Sequence, residues 1–261
     1  MAGRGKIAWP TCLNSLTLVL VLALDRLLGD PPNRWHPVAW MGAVIAATRR
    51  RAPRRGRGLP LAYGAALVIG GATTLAGIGC LLERLLDRLP VPLRWLATAG
   101  LLKTTVGLQG LGRAATEVQE ALDTGDLPEA RLLAAWHLVS RDTSALSESQ
   151  VAAATVESVA ENSSDGVIGP LLYFALGGLP GALVYRWVNT CDSMLGYRDP
   201  EREWLGKAPA RLDDLLNLPP ARLTAALITL AAWLAGDDAP NAWRIWRWTR
   251  ARPRAPMLAI R

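Results

Sequence analysis

The sequence predicts an all-α, polytopic integral membrane protein: one membrane-embedded domain over residues 1–261, with four to five membrane segments, one of them re-entrant, and a helical cytoplasmic insertion over residues 113–166. Three observations predict it. Apolar residues make up 51% of the chain and mean hydropathy is +0.18, above an ordinary soluble protein. Residues 61–82 carry no charge and match the roughly 20 residues a helix needs to cross hydrocarbon. Six arginines crowd residues 49–57, directly before that run, and six more lie between Arg244 and Arg261. Basic clusters beside apolar spans mark cytoplasmic loops. The net charge of +7 is therefore read as orientation in a bilayer, and no zinc-finger or RNA-binding signature supports nucleic acid.

The first segment is the Leu-rich run from Leu13 to Leu28. Its ten Leu and Val residues supply roughly −3 to −6 kcal/mol of insertion energy, against about +2.5 to +3.5 for a central Asp. Asp25 lies near one end, so a retained span is expected rather than a cleaved signal peptide. The uncharged run is the second segment. Residues 91–112 are apolar enough to return, but they contain Arg94 and Lys103, and a lysine at that depth must snorkel, line a cavity or pair.

Charges and alanines then reappear at helical spacing over residues 113–160, which predicts two soluble helices broken at DTGDLP, residues 123–128. Ser147 and Gln150 fit a capping box opening the second helix. Glu157 and Glu161 are four apart and share a face. Residues 167–185 have spanning length but hold Pro170, Gly177, Gly178, Pro180 and Gly181, the signature of a broken or re-entrant helix. A straight crossing would separate the polar motifs at residues 161–166 and 189–197, whereas a re-entrant hairpin keeps them on one side. A last apolar run, residues 221–235, precedes the basic tail.

The densest polar cluster, ENSSDGVIGP at residues 161–170, opens onto apolar sequence. Ser163, Ser164, Asp165 and Gly166 are ordinary cap and turn residues. Alternatively, Glu157, Glu161 and Asp165 form an oxygen-rich wall for Mg²⁺ or an ammonium group. Spacing does not choose between them. Asp25, an acid inside an apolar segment, is a functional candidate by default, while Gly29 and Pro31 read as a helix stop. His137 reads as an ordinary helix residue. Cys12, Cys80 and Cys191 are widely spaced and only two histidines are present, so neither a disulfide framework nor a His/Cys metal centre is expected.

Several ordered motifs resemble one known family. They are residues 24–32 (LDRLLGDPP) followed by HPV at 36–38, LKTT at 102–105, SRDT at 140–143, ESVAENSSDGVIGPLLY at 157–173, NTCDSMLGYR at 189–198 and RLDDLLNLPPARL at 211–223. On these the chain is similar to adenosylcobinamide-phosphate synthases, integral membrane proteins of cobalamin biosynthesis, over roughly residues 18–247. The resemblance implies amide formation between adenosylcobyric acid and aminopropanol phosphate, or ethanolamine phosphate, at the cell inner membrane, with ATP and Mg²⁺. No nucleotide motif is visible, so ATP rests on the family alone. Carried onto matching positions, it implies catalytic roles for Glu157, Glu161, Asp165 and Asp192, with Mg²⁺ on Glu161 and Asp165. It implies substrate contacts from Asp25, Asp30, His36, Lys103, Arg141, Asp142, Asn162, Asn189, Ser193, Tyr197, Asp213 and Asp214. Lys103 and Arg141 are the expected phosphate ligands. The lipid bilayer and other cobalamin-pathway proteins are the expected partners.

Residues 247–261 depart from the family's continuation, and the chain stops some tens of residues short of it. An inactive, truncated homologue is therefore one alternative expectation. A membrane transport component, which would also use broken helices and buried acids without consuming aminopropanol phosphate, is another.

Overall fold

The computed structural model describes residues 11–29, 31–54, 56–139, 142–197, 199 and 202–251, with the backbone alone at 11–14, 33 and 248–251. Among the described residues there are ten α-helices and a 3₁₀ turn, Asn33–Trp35, and no strand. The α-helices are α1 (Thr11–Leu28), α2 (Pro37–Arg50), α3 (Gly58–Leu86), α4 (Val91–Lys103), α5 (Leu108–Asp123), α6 (Leu127–His137), α7 (Glu148–Ser163), α8 (Gly169–Leu195), α9 (Glu203–Ala235) and α10 (Ala239–Ala251). A π-helical turn, Ser164–Ile168, joins α7 to α8. Three stretches are long and apolar enough to cross a membrane: Gly58–Leu86, Glu148–Leu195 and Leu218–Ala235. Outward apolar side chains on them, including Ile69, Leu81, Leu176 and Leu234, are exposed. Hydrocarbon accommodates such a surface and water penalises it.

The middle stretch is not a straight rod. Gly177 (φ −140°, ψ 16°) and Gly178 (φ 64°, ψ −156°) leave helical geometry, the latter in a conformation that side chains of L-residues rarely adopt. The chain there reverses. Gly169 lies so close to the Tyr185 ring that a Cβ would stand 2.2 Å from it, although a continuous helix would separate these residues by about 24 Å. The Tyr173 and Tyr185 rings stack across the reversal at 5.0 Å. The expected re-entrant hairpin is thus present, and its arms enter and leave at the same end.

Three features hold the hairpin. At its tip, the Leu179 N–H, left without an intrahelical partner, donates to the Glu83 carboxylate of α3 at 2.9 Å. Along its second arm, Trp187 donates to the Val68 carbonyl of α3 at 3.1 Å. Against α9, the Tyr173 hydroxyl donates to the Leu216 carbonyl at 2.9 Å. That carbonyl would otherwise pair with the amide four residues on, but this residue is Pro220, which has no N–H. Tyr185 donates to Asn217 at 2.5 Å beside it.

Apolar packing forms three cores. One joins α1, α4 and the hairpin through Val21, Leu102, Phe174 and Leu179; a second joins α2, α3, α8 and α9 through Ile45, Val68, Trp187 and Leu205; a third binds α5, α6 and α7 through Val118, Ala130, Ala134 and Val151. The third is the predicted helical insertion. It has three helices rather than two, because the alanine-rich stretch after the expected break folds as α6, N-capped by Asp126 on the Glu129 N–H at 3.0 Å. The capping box is as expected: Gln150 N–H donates to Ser147 Oγ at 3.4 Å and Ser147 N–H to Gln150 Oε1 at 2.8 Å.

The span expected over residues 91–112 is a shorter helix. α4 stops at Lys103, whose side chain faces Asp25 of α1, and the chain tightens into hydrogen bonds three residues back at Thr104, Thr105 and Val106 before α5 begins.

Close helix contacts depend on small residues. A Cβ on Gly64 would stand 1.9 Å from the Leu205 carbonyl, whereas one on Gly70 of the same helix would meet nothing within 4 Å. Gly64→Ala should therefore cost about 1–3 kcal/mol by forcing α3 from α9. Gly70→Ala should be neutral or stabilising by up to about 1 kcal/mol. Denaturation of both variants in detergent micelles checks this, and equal behaviour would refute the packing.

Candidate active site

Because the hairpin returns the chain to its starting end, Asp165 and Asp192 lie about 13–14 residues either side of the reversal and at a similar level. Each is within electrostatic reach of the other. A cleft of about 410 Å³ opens beside them, lined by Gly107 at the N-cap of α5, Leu111 of α5, His137 of α6, and Asn162, Asp165, Arg186, Asn189 and Ser193 of the hairpin region. Asp165 is half-buried, with the charges of Glu161 and Arg186 also nearby.

A polar relay extends from the cleft into α9. Arg186 donates to Asn189 Oδ1 at 3.3 Å, Asn189 Nδ2 faces Asp213 Oδ1 at 3.5 Å, and Asn217 Nδ2 donates to Asp213 Oδ2 at 2.7 Å. Asp213 lies just before the α9 span and is buried. Burial, reinforced by the charges of Asp192 and Asp165, pushes its carboxyl up to about 7, against hydrogen bonds from Asn217 and Asn189 that favour the ionised form.

The predicted residues divide into those gathered here and those placed elsewhere. Asp165, Asn162, Asn189 and Ser193 line the cleft; Asp192 and Asp213 stand behind it. Glu157 and Glu161 share the exposed face of α7 as expected, with Glu161 the nearer to Asp165. Asp214 points from α9 to solvent. Tyr197 is exposed beneath the Arg202 guanidinium, 4.1 Å from its ring. His36 caps α2, accepting from the Val38 N–H at 3.2 Å. Asp142 is exposed, and the Ser144 backbone N–H at 2.9 Å holds its carboxyl below the usual range. Asp30 and Arg141 lie outside the described residues.

Asp25 and Lys103 do not line the cleft. Both are buried and face each other at 3.6 Å. Lys103 also donates to the Gly29 carbonyl, and Asp25 Oδ2 accepts from the Gln109 N–H at 2.7 Å, in the first turn of α5. The Gly107 N–H, at the same turn, donates to the Gly166 carbonyl at 3.1 Å. The pair therefore anchors one wall of the cleft. Lys103, the expected phosphate ligand, is buried against α1 and is not among the cleft-lining residues, whereas Arg186 is.

Four residues of the site escaped sequence reasoning or were set aside. Arg186, Tyr185 and Asn217 sit in segments that read as span or helix; only the hairpin brings them together. His137 closes one side of the cleft and faces Glu117 at 3.5 Å. Among the described residues no group of three or more His, Cys, Asp or Glu side chains is placed to hold a metal ion. Asp165 with Glu161 is nevertheless the number of carboxylates Mg²⁺ takes from a protein when phosphate oxygens and water complete its shell.

With this geometry in place, the comparisons with known proteins identify the family. The sequence model described as CobD/Cbib protein matches residues 18–257. The chain belongs to the CobD/Cbib family. It is 42% identical over 236 residues to the cobalamin biosynthesis protein CobD of Dehalococcoides mccartyi, covering 89% of this chain and 75% of that one. It is 44% identical over 238 residues to that of Geobacter metallireducens, covering 88% and 71%. It is 40% identical over 230 residues to the probable cobalamin biosynthesis protein CobD of Methanothermobacter thermautotrophicus, covering 87% and 73%. No solved structure matches. Membership of the CobD/Cbib family bears out the resemblance drawn from the motifs.

Two predictions follow from the buried acids. Lys103→Met leaves Asp25 buried and uncompensated, so it should cost about 3–5 kcal/mol in denaturation, with much of the loss recovered in Asp25→Asn/Lys103→Met; wild-type stability in the single variant would show the pair is idle. Asp213 has a folded value raised to about 7 above an unfolded value of about 3.9. The unfolded chain releases this proton first, so stability should fall as pH rises from about 4 through about 7. In Asp213→Asn the melting temperature should lose that part of its pH dependence, and an unchanged slope would contradict it.

Proposed function

We propose that this CobD/Cbib-family chain acts in cobalamin biosynthesis, joining the free carboxylate of adenosylcobyric acid to the amine of aminopropanol phosphate, or ethanolamine phosphate, as an amide at the Asp165 cleft. The observation that carries the reading is the meeting of Asp165, Asp192 and Arg186 at the open end of the hairpin. A phosphorylated amino alcohol has one anionic and one cationic end, and a cleft with one guanidinium and flanking carboxylates matches both.

In this reading Arg186 takes the phosphate through charge-assisted hydrogen bonds, in the place first expected for Lys103. Asp165 receives the ammonium end, with the charge of Asp192 supporting it from the second arm. An ammonium has no lone pair, so it must lose a proton before it attacks a carbonyl, and in this reading Asp165 accepts it. The Asp213–Asn217 pair positions Asn189 and, through Tyr185, the hairpin arm that carries Arg186. With Asp165 given to the ammonium, Glu161 is the carboxylate that would hold Mg²⁺ together with phosphate oxygens and water; ATP with that ion would activate the substrate carboxylate by phosphorylation, so that its oxygen would leave as phosphate when the amine attacks. A cleft of about 410 Å³ lies at the small end of ligand sites. It suits the amino alcohol phosphate, while the corrinoid presents its side chain from outside. The basic residues before α3 favour the cytoplasmic face of the inner membrane for this end.

Complementation of a strain lacking the synthase, with cobyric acid supplied, tests the proposal. The chain should restore growth, and Asp165→Asn should lower cobinamide phosphate formation by at least about 100-fold while still inserting into the membrane. Full activity of that variant would reject the assignment of Asp165. Binding of a corrinoid without consumption of aminopropanol phosphate would favour transport instead.

A further inference from the structure

A second cavity, of about 220 Å³, lies between the end of α2, the turn into α3 and the start of α9. Four arginines line it: Arg49 and Arg50 from the last turn of α2, Arg54 from the turn and Arg202 from the N-terminal edge of α9, with Leu205 at the apolar side. Its charge is uneven. Arg202 is paired with Asp199, but among the described residues no carboxylate is paired with Arg49 or Arg50. Arg49 and Arg50 are neighbouring like charges in the last turn of α2, and an anion between them would relieve their repulsion.

The place of the cavity narrows the anion. α3, an uncharged span over most of its length, begins at Gly58 directly beyond the arginine turn. Trp204 stands next to it, with Arg57 at 5.4 Å and Lys207 at 4.1 Å from its ring, and Trp flanked by basic residues marks the level of lipid headgroups. Leu205 packs in one core with Leu195 at the end of the hairpin, so the cavity is at the same end of the bundle as the acidic cleft. It is a separate cavity, with no lining residue in common.

We propose that this pocket is a binding site for a phosphate-ester anion, held by Arg49, Arg50 and Arg54 at the headgroup level of the bilayer. Guanidinium groups bind phosphate oxygens in pairs, and basic pockets between membrane helices on the cytoplasmic side take anionic headgroups. The proposal does not depend on the reaction at Asp165.

The test uses the full chain in neutral detergent, with short-chain phosphatidylglycerol, short-chain phosphatidylcholine and inorganic pyrophosphate as probes and tryptophan fluorescence and melting temperature as readouts. Phosphatidylglycerol should bind at least about tenfold more tightly than phosphatidylcholine, since hydrogen bonds to charged groups are worth about that factor each. Arg49→Gln/Arg50→Gln/Arg54→Gln should lose the preference and the corresponding Lys variant should keep part of it. The two variants should melt alike without ligand. Pyrophosphate binding that the Gln variant abolishes would assign the pocket to a free phosphate compound, and its absence would assign it to lipid. The proposal is overturned if the Gln variant binds phosphatidylglycerol and pyrophosphate as the parent does, or if the parent binds the two lipids equally and pyrophosphate not at all.

Discussion

A helix that turns back inside an apolar bundle leaves backbone N–H groups without partners at its tip, and in hydrocarbon water does not supply them. Here the carboxylate of Glu83 takes the Leu179 N–H at that point. This contact crosses from α3 to the hairpin and fixes where the second arm of α8 begins. The level of Arg186, Asn189 and Asp192 on that arm follows from it, residue by residue along the helix. The reversal is thus the constraint on which the polar end of the molecule depends.

A second accommodation of the same kind lies on α9. Pro219 and Pro220 remove two donors from the middle of a 33-residue helix, and a freed carbonyl is taken up by Tyr173 from the first arm of the hairpin. Tyr185 from the second arm reaches Asn217 alongside. Each break in helical bonding is thereby turned into a contact between elements. The prolines that weaken α9 as an isolated helix register it against the hairpin, and Asp213 is buried beside Asn189 as a result.

The cleft also depends on a part of the chain that does not line it. Asp25 and Lys103 lie outside it, yet they hold the turn before α5, and the Gly107–Gly166 hydrogen bond carries that position to the residue next to Asp165. An acid in an apolar span is suspected of function, and the contacts that Asp25 makes here are with Lys103 and the first turn of α5. Charge within lipid needs a partner before it needs a substrate.

The class of fold, the uncharged α3, the capping box at Ser147 and the break at Gly177 and Gly178 were legible in the residues themselves, because they depend on local composition, spacing and the conformational range of glycine. The motif order was enough to point to the family that the comparisons then showed. Sequence also singled out Asp165, Asn189 and Asp192. Three-dimensional packing decided the rest: that Arg186 faces the cleft, that Lys103 turns away into a buried pair, that α4 ends early, and that His137 closes one wall. These outcomes rest on which distant side chain reaches a buried charge or an unpaired backbone group first, and such competition between residues far apart in the chain leaves no periodic trace in the sequence.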